Sequence, residues 1–381
     1  MYNRILEQEI VKTSKSILIL GPRQVGKSTL MKAINPDLKI NLANETEYFI
    51  FQSDPSELQK RIAATKPKTI FIDEIQRIPR LTNTIQSIID DNPKLKFYLT
   101  GSSARKLRKS QSNLLPGRLI SYAMHPLSVQ EIGDDWQEDK ALQFGTLPGI
   151  YKNKSETEIK NLLRTYASTY LKEEIMAESL VRQIDGFIRF LNAAAFSSGE
   201  YLDYSKLSKK AKIPRQSVVR HFEILEDTLI VRKVENDPHL DLDFVDLVRH
   251  PRFYFFDLGV LNALRGSFSL NQERVGYLFE HLVFNQIINA STLLQNQLNI
   301  YNFRTRGGLE VDFILDIDGK KTAIECKSSQ SVSSSELNAI KKIDTYYPKI
   351  KKIVIYRGSR ELKDGDVWIL PLTKALEVLG L

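Results

Sequence analysis

The strongest constraint on the fold is a glycine-rich motif that follows a short apolar run near the start of the chain. Residues 16–29 read SILILGPRQVGKST, and the spacing of Gly21, Gly26, Lys27 and Ser28 fits G-x-x-x-x-G-K-[ST]. The apolar run is typical of a buried strand, and the residues after the motif are compatible with a helix. A strand, a glycine-rich turn and a helix in this order predict a loop that binds phosphate groups. The alternative is a glycine-rich turn before a helix, without a ligand.

The residue types of this loop predict a site for a nucleoside triphosphate and its magnesium ion. Gly21 and Gly26 lack side chains, so backbone N–H groups can approach the phosphate oxygens. Lys27 places a positive charge near the outer phosphates, and the Ser28 hydroxyl is a ligand for Mg²⁺. We expect the whole loop to bind ATP, namely Gly21, Pro22, Arg23, Gln24, Val25, Gly26, Lys27, Ser28 and Thr29.

A second stretch ends in two acids. Residues 69–75, TIFIDEI, form an apolar, β-branched run up to Asp73 and Glu74. Since ligands bind at the carboxyl ends of parallel strands, Asp73 could hold Mg²⁺ through water, and Glu74 could orient or deprotonate the attacking water. Thr100 follows another strand-like run and is a candidate sensor of the terminal phosphate, or an ordinary turn residue. The acids favour ATP hydrolysis over binding alone; the alternative is a solvated strand end.

Length and composition exclude several classes of protein. A chain of 381 residues with 42% hydrophobic residues is long enough for two to three globular domains. No apolar run approaches the ~18 residues of a membrane span, and the first residues lack a signal peptide, so we expect a cytoplasmic protein without a membrane partner. One cysteine, Cys326, excludes a disulfide framework, and five histidines show no zinc-ligand spacing. The net charge of +8 fits a polyanionic partner or a dispersed surface charge.

The order of strand-like and helix-like runs predicts a parallel sheet in the first part of the chain. Runs at 40–42 and 95–99 are typical of strands, and 81–91 has the apolar spacing of an amphipathic helix. From 128 to 184 the chain becomes helical and charged, which predicts a small helical lid.

Residues 186–236 follow the pattern of a winged helix. Helical runs at 186–196, 205–211 and 215–227 precede a strand-like run at 229–234 that could start the wing. The third helix would then face DNA with the residues near its N-terminal end, which are Arg215, Gln216, Ser217 and Arg220. Winged helices also serve as protein-contact modules, so both roles stay open.

Two strand-like runs further along the chain predict a hairpin with two acids. Asp318 and Gly319 between them are a strong signal for a two-residue turn. With this turn, Asp312 lies opposite Glu325 with about 5 Å between their Cβ atoms. Like charges at that distance destabilise a hairpin unless a cation lies between them, which predicts a divalent metal site. The alternative is a solvated acidic face with acid–lysine pairs.

Lys327 and Glu280 could complete this site. Lys327 lies two residues after Glu325 on the same side of the strand, where its ammonium group could steady a water or a phosphate oxygen. Glu280 lies beside the apolar face of a helix predicted over 272–290 and could supply another oxygen ligand, although a glutamate at a helix edge needs no ligand. Oxygen ligands of this kind suit Mg²⁺.

Taken together, these motifs resemble a large group of bacterial and archaeal proteins with an N-terminal AAA-type ATPase domain and a C-terminal domain of unknown function. The motifs that carry the resemblance are GPRQVGKST, TIFIDEIQRI, LTGSSA, GRLISYAMHPLS, FYFFDLGVLNAL, GYLFEHLV, RTRGGLEVDFIL and AIECKSS. The last three are similar to the PD-(D/E)xK arrangement of restriction-endonuclease-like enzymes. The resemblance implies that Glu280, Asp312, Glu325 and Lys327 match the helix acid, metal acid and ExK residues of a nuclease.

The resemblance also implies a role for Arg118, which precedes a predicted fifth strand. In AAA-type ATPases an arginine at this place often reaches the nucleotide of a neighbouring subunit, where it stabilises charge in the transition state. This role implies a homo-oligomer, in the form of a ring that could be a hexamer. The other interpretation is an exposed arginine after a Pro-Gly turn.

The sequence therefore predicts an α/β protein of four parts. These are an AAA-type P-loop ATPase core with a parallel sheet (1–128), a helical lid (129–185), a winged helix (186–240) and a restriction-endonuclease-like α/β domain (251–381). We expect an ATP-hydrolysing enzyme that acts on DNA or RNA and cleaves it with Mg²⁺ or Mn²⁺. Two alternatives stay open, a nucleotide-dependent switch or regulator with an inert nuclease-like scaffold, and an ATP-gated DNA-binding regulator.

Overall fold

The computed structural model describes residues 2–102, 117–171, 184–240, 245–294 and 297–381. These residues divide into two units. The first comprises the described residues up to Leu127 together with Asp227–Ile230, and the second comprises those of Ser128–Glu226 and Val231–Leu381. The expected boundaries of lid, winged helix and C-terminal domain all lie inside the second unit or at its start, and they stay predictions.

The first unit is built on a parallel sheet. Its strands are β1 Ser16–Leu20, β2 Leu38–Asn41, β3 Thr69–Asp73, β4 Lys96–Gly101 and β5 Leu119–Ala123. Its described helices are α1 Ile5–Lys12, α2 Lys27–Ile34, α3 Glu45–Ser53, α4 Glu57–Thr65 and α5 Leu81–Asp91, with a 3₁₀ turn at Ile75–Arg77. The sheet order is β2-β3-β4-β1-β5, and each pair of neighbouring strands runs parallel.

The parallel sheet forms because its central strands are apolar on both faces. Ile17, Leu18 and Ile19 of β1 are at most 2% exposed. Helix α5 presents apolar residues at helical spacing to the same core, as predicted. In this arrangement the carboxyl ends of β1, β3 and β4 meet at one edge of the sheet, which brings the glycine-rich loop and the two acids together.

The second unit combines helices with an eight-stranded sheet. Its described helices are α6 Val129–Ile132, α7 Glu138–Phe144, α8 Pro148–Tyr151, α9 Glu156–Thr165 with a π-helical turn Tyr166–Tyr170, α10 Ile184–Phe196, α11 Tyr204–Ala211, α12 Arg215–Asp227, α13 Leu258–Leu264, α14 Gln272–Ala290, α15 Asn338–Lys342 and α16 Leu372–Leu379. Short 3₁₀ segments lie at Gly133–Asp135, Ser291–Leu293, Ser334–Leu337 and Ile343–Thr345. None of the described helices combines the length and the apolar character that a membrane crossing requires.

The eight-stranded sheet has mixed strand directions. Its strands are β6 Val231–Asn236, β7 Arg252–Phe255, β8 Leu298–Arg304, β9 Glu310–Ile317, β10 Lys320–Lys327, β11 Lys351–Tyr356, β12 Leu362–Asp364 and β13 Val367–Pro371. Their order is β12-β13-β11-β10-β9-β8-β6-β7. Strands β9 and β10 are antiparallel, and β11 adds to β10 in parallel.

Strand β6 corresponds to the strand-like run that we expected to start the wing of a winged helix. It begins at Val231 rather than Leu229, because Leu229 has a left-handed backbone (φ +61°). The strand pairs antiparallel with β7 and parallel with β8, so it belongs to the eight-stranded sheet. The three helices that precede it are confirmed at their expected places in the chain.

The helices after residue 128 pack against α13 and α14. Val129 donates its backbone N–H to Gln286 Oε1 at 2.7 Å. Asn262 donates from Nδ2 to the carbonyl of Leu142 at 2.9 Å, and Asp257 accepts the N–H of Thr146 at 2.8 Å. These buried bonds join the segment that we expected to be a lid to the helices around the eight-stranded sheet.

Candidate functional site

The glycine-rich loop has the strand-loop-helix geometry that a phosphate site requires. It follows β1 directly and leads into α2, which begins at Lys27. Gly26 has φ +100°, a conformation that residues with a side chain rarely adopt. A Cβ atom on Gly21 would lie 2.2 Å from the carbonyl oxygen of Met124, so the loop needs glycine at both positions. The local geometry therefore explains both glycines of the motif.

Lys27 is directed into this loop. Its side chain is buried, and Nζ donates to the carbonyl oxygens of Gly21 at 2.7 Å and Pro22 at 2.8 Å. The ammonium group thus lies among the atoms of the loop to which we assign phosphate binding. Ser28 follows on the first turn of α2, where the positive end of the helix dipole favours an anion.

The predicted acids lie at the carboxyl end of β3, at the same edge of the sheet as the loop. Asp73 is buried, and its Oδ1 accepts a hydrogen bond from the Thr100 hydroxyl at the end of β4. Glu74 has a left-handed backbone (φ +58°), which turns the chain at the strand end. Thr100 is therefore brought next to Asp73, which is a contact that the sequence alone does not reveal.

Glu74 has partners that sequence reasoning missed. Gln76 donates from Nε2 to Glu74 Oε2 and also, at 3.0 Å, to the hydroxyl of Ser102. The Gln76 side chain is buried, and its Oε1 atom has no hydrogen-bond partner among the described residues. The motif TIFIDEIQ contains this glutamine three residues after Asp73, so its position in the sequence could have indicated that it contacts the acids.

Arg118 lies just before β5, at the end of the strand that is opposite to the phosphate loop. Its Nε donates to Asp90 Oδ1 of α5 at 2.6 Å, and this ion pair is partly exposed. An exposed pair of this kind contributes little to stability, so the arginine can exchange partners. Its role towards a neighbouring subunit stays a prediction.

The predicted hairpin is confirmed in the second unit. Its turn has φ +53° at Asp318 and +80° at Gly319, and the ladder runs from the pair Ile317–Lys320 to the pair Phe313–Ile324. Just beyond this ladder, the N–H of Cys326 donates to Asp312 Oδ2 at 2.8 Å. The register predicted from the turn is therefore the observed one, and it brings Asp312 next to β10.

All four residues of the predicted nuclease site line one cavity of about 290 Å³. They are Glu280, Asp312, Glu325 and Lys327, and the lining also includes Cys326 and Glu336. Lys327 Nζ donates to Glu325 Oε1 at 2.8 Å. The other oxygen of this carboxylate, Oε2, is buried and has no hydrogen-bond partner among the described residues. A buried carboxylate oxygen without a partner is the position that a cation would satisfy.

Glu280 has a different environment from the other two acids. Its Oε1 accepts a hydrogen bond from the Tyr254 hydroxyl at 2.6 Å and forms an ion pair with the Arg252 guanidinium. Both partners come from β7, where they are two residues apart and so face the same side. The sequence signal for this pair was an arginine inside the apolar run RFYFF, since a charge on a buried strand requires a partner.

Burial perturbs the titration of the acids in the cavity. It raises the pKa of Glu280 to about 7, against the opposing effect of Arg252. Burial, and then the charge of Glu325, raise the pKa of Asp312 above its usual range. Burial also raises the pKa of Glu325, while Lys327 opposes that effect. Carboxyl groups with raised pKa values in one cavity are typical of a functional site.

The number of acids that could hold a metal ion is smaller than the sequence predicts. Within the described ranges, no group of three or more His, Cys, Asp or Glu side chains is arranged to hold a metal ion. The carboxylates of Asp312 and Glu325 remain as a pair in the same cavity lining. These are the hard oxygen donors that Mg²⁺ and Mn²⁺ prefer, so the pair fits one such ion.

The residues predicted to contact DNA lie in the first two turns of α12. Arg215, Gln216 and Arg220 are exposed, and Ser217 is partly buried. The Arg215 guanidinium lies 5.7 Å from the centre of the Tyr204 ring. The side chains are therefore available at the surface, and their contact with nucleic acid stays a prediction.

Three family descriptions match successive parts of the chain. An AAA domain matches residues 13–133. A domain of unknown function (DUF8612) matches residues 136–271, and another (DUF4143) matches residues 275–375. A comparison with curated proteins gives no match.

Several solved structures are similar at low identity. A signal transduction ATPase with numerous domains (STAND) from Pyrococcus horikoshii is 13% identical with a TM-score of 0.26, over 77% of this chain and 46% of that one. The replication initiator DnaA bound to AMPPCP and single-stranded DNA is 10% identical with a TM-score of 0.28, over 58% and 85%. The Hsp104–ADP complex from S. cerevisiae is 13% identical with a TM-score of 0.30, over 59% and 39%. The chain thus spans less than half the length of the STAND and Hsp104 proteins.

The family match and the geometry agree on the same part of the chain. Residues 13–133 include the glycine-rich loop, the acids at the end of β3 and the five strands of the parallel sheet. The hairpin with Asp312 and Glu325 lies within residues 275–375. The chain is therefore similar to AAA domains around its glycine-rich loop, and a later part of the same polypeptide is similar to the DUF4143 domain of unknown function.

Proposed function

We propose that this protein is an ATP-hydrolysing enzyme that acts on nucleic acid, with an AAA-type ATPase domain coupled to a metal-dependent nuclease in the C-terminal domain. The observation that carries the nuclease is the shared cavity of Asp312, Glu325 and Lys327. In it, Glu325 Oε2 is buried and has no hydrogen-bond partner in the part of the chain that the structure describes. The pair of carboxylates together with the lysine fits the cleavage of a phosphodiester bond, because that reaction moves negative charge onto phosphate oxygens.

At the ATPase site, the chain supplies a positive charge, a hydroxyl and two acids. Lys27 stabilises the outer phosphates, and the Ser28 hydroxyl and Asp73 are the expected contacts of Mg²⁺. Glu74 orients or deprotonates the water that attacks the terminal phosphate. We propose that Arg118 acts on the nucleotide of a neighbouring copy in a ring, for which it must leave Asp90.

At the nuclease site, Asp312 and Glu325 would hold Mg²⁺ or Mn²⁺. Such an ion neutralises phosphate charge and lowers the pKa of a bound water. Lys327, whose Nζ donates to Glu325 Oε1 at 2.8 Å, would stabilise the phosphate or the attacking water. As the water oxygen bonds to phosphorus, the P–O bond to the leaving oxygen would break; the water would lose a proton to solvent, and the leaving oxygen would take up a proton from solvent.

Nucleic acid is the proposed substrate because the chain as a whole is basic and helix α12 exposes two arginines. The chain carries a net charge of +8, and the first turns of α12 expose Arg215 and Arg220. Lysine and arginine side chains of this kind neutralise phosphates of DNA or RNA without regard to sequence. We propose that α12 contributes to this grip, with DNA as the first substrate to test.

The nuclease is tested with labelled duplex, single-stranded and branched DNA and with RNA, in Mg²⁺ or Mn²⁺, with and without ATP. We expect cutting by the wild type and none by Asp312→Ala. The matched control is Asp316→Ala, an acid on the same strand that does not line the cavity, and it should cut normally. Equal cutting by wild type and Asp312→Ala would contradict the nuclease assignment.

The ATPase is tested by phosphate release. Lys27→Ala should lower turnover by about a hundredfold or more, since it removes a charge from the transition state. Lys32→Ala, an exposed lysine on the same helix, is the matched control and should keep its turnover. Retained hydrolysis in Lys27→Ala would refute the role of this lysine.

A second candidate function is a nucleotide-dependent switch with an inert nuclease-like scaffold. It is favoured by the ion pair of Glu280 with Arg252, which leaves two acids rather than three for a metal. This candidate predicts no cutting with either metal, and a change in mass or partner binding when ATP is added.

A further inference from the structure

The third acid of the cavity is held by residues outside the motif. Arg252 and Tyr254 of β7 both bond to Oε1 of Glu280. The side chain of Arg252 is 5% exposed and that of Glu280 is 20% exposed, so the pair is largely withdrawn from water. A metal ion that took Glu280 as a ligand would have to compete with two buried donors for that carboxylate.

Arg252 cannot leave this position without losing other contacts. Its Nε donates to the carbonyl of Gly199 at 2.6 Å, and its Nη1 donates to the carbonyl of Asp312 at 3.3 Å. The guanidinium also lies between aromatic rings, with centres at 5.4 Å for Tyr201 and 5.3 Å for Tyr254. Moving it would leave a buried charge unpaired, which is strongly unfavourable.

The same arginine connects Glu280 to the strand that carries Asp312. One side of the guanidinium bonds to Glu280 and the other to the main-chain oxygen of Asp312. Glu280 can thus affect the position of Asp312 without contact to an ion. A group that acts through such a connection belongs to the outer shell of a metal site.

The two remaining acids still have oxygens for a ligand. Asp312 uses Oδ2 for the N–H of Cys326, and Glu325 uses Oε1 for Lys327. Glu325 is 8% exposed, and its Oε2 has no partner among the described residues. One buried oxygen that lacks a donor, next to a second carboxylate, is suited to a cation.

We infer that Asp312 and Glu325 hold a single divalent cation, and that Arg252 and Tyr254 keep Glu280 outside its coordination shell as a positioning residue. The inference rests on the proposed nuclease site. The charges in the cavity agree with one divalent ion rather than two. The lining has four carboxylates, and the positive charges of Lys327 and of the Arg252 bound to Glu280 compensate two of them. The two carboxylates that remain match the charge of one divalent ion. The lining carboxylates are Glu280, Asp312, Glu325 and Glu336.

The test is a calorimetric titration of the full chain with Mn²⁺ alone, without nucleotide. Wild type, Asp312→Asn, Glu280→Gln and the control Asp316→Asn are compared, so that any ion at the ATPase loop is common to all four. We expect Asp312→Asn to bind one Mn²⁺ fewer than wild type. Glu280→Gln should keep that ion with a Kd raised by about ten- to a hundredfold, as for an outer-shell group.

Tyr254→Phe gives a second measurement that does not depend on Glu280→Gln folding well. It removes a bond to Glu280 but no oxygen near the ion, so it should also keep the ion. Loss of the ion in Glu280→Gln or Tyr254→Phe, or loss of two ions in Asp312→Asn, would overturn the inference. So would a wild type that binds no ion beyond those bound by Asp312→Asn.

The outcome separates this inference from the proposed function. A wild type that cuts nucleic acid while Glu280→Gln loses the ion leaves the nuclease in place and refutes the positioning role. If the wild type does not cut nucleic acid and Glu280→Gln keeps the ion, the single-ion site is supported and the proposed nuclease activity is refuted.

Discussion

Replacing Tyr254 with Phe removes one buried hydrogen bond and leaves the packing of the ring. The hydroxyl donates to Glu280 Oε1 at 2.6 Å, and the ring stacks on Phe284 with centres 4.1 Å apart. A hydrogen bond to a charged group contributes about 1.5–3 kcal/mol to stability. We therefore expect the free energy of unfolding of the second unit to fall by about 1.5–3 kcal/mol.

Tyr201 provides a control with the same substitution beside the same arginine. Its ring centre lies 5.4 Å from the Arg252 guanidinium, close to the 5.3 Å found for Tyr254. Its buried hydroxyl, however, has no hydrogen-bond partner among the described residues. Tyr201→Phe relieves the cost of burying that group, so stability should stay the same or rise by about 1 kcal/mol.

The assay is urea unfolding followed by tryptophan fluorescence. The chain has two tryptophans, Trp136 and Trp368, and both lie in the second unit, so the signal reports on that unit. The dependence of the free energy on urea should be unchanged in both variants, because neither alters the surface exposed on unfolding. The two midpoints should then move in different directions, or only that of Tyr254→Phe should move.

Two results would refute this reasoning. A loss below about 0.5 kcal/mol in Tyr254→Phe would mean that the hydroxyl contributes no hydrogen bond to Glu280. An equal loss of stability in Tyr201→Phe would mean that both variants act by disturbing the aromatic packing around Arg252, and not by removing the hydrogen bond to Glu280.

Two further predictions concern the helices of the second unit. Burial between Phe187 and Phe190, and then Arg220, lower the pKa of His221 to about 4, so the unfolded chain binds a proton below about pH 6.5 that the folded chain does not. The free energy of unfolding should therefore fall by about 2 kcal/mol between pH 6.5 and 5. In urea unfolding at several pH values, His221→Leu should lack this part of the loss. A variant with the same pH dependence as wild type would contradict a buried neutral histidine. Gly259→Ala should destabilise the unit by about 1–3 kcal/mol, because its Cβ would lie 2.1 Å from the carbonyl oxygen of Phe144. Gly149→Ala is the control, because no atom lies within 4 Å of its new Cβ, and it should not change stability. Equal shifts of the two variants in thermal unfolding would show that α7 does not approach α13 so closely.

Two features of the candidate sites could be predicted because residues close in sequence decide them. The phosphate loop needs a strand, two glycines and a helix within fourteen consecutive positions, 16–29. The register of the hairpin depends on the turn at Asp318 and Gly319, whose positive φ angles match the twist of the two strands. From that turn alone, Asp312 is placed beside β10, as observed.

The position of β6 could not be predicted in the same way. The apolar residues at its start indicate a strand, but its neighbours β7 and β8 begin only at Arg252 and Leu298. The residues of a strand indicate which of its side chains are buried, and they carry no information about which strand lies beside it. The strand itself could therefore be predicted from the sequence, and its neighbours in the sheet could not.

The sequence by itself determined the residue types of both candidate sites. Lys27 and Ser28 share one loop, and Asp312 and Glu325 share one hairpin, so short motifs specify each pair, whereas Asp73 and Glu74 approach the loop only through the parallel sheet. Only the tertiary structure decided that Glu280 is paired with Arg252 and Tyr254. These residues are 28 and 26 positions away from Glu280, on a different element. An ion pair of this kind forms only when a helix packs on a strand and excludes water from both charges, and neither periodicity nor a local motif specifies that contact.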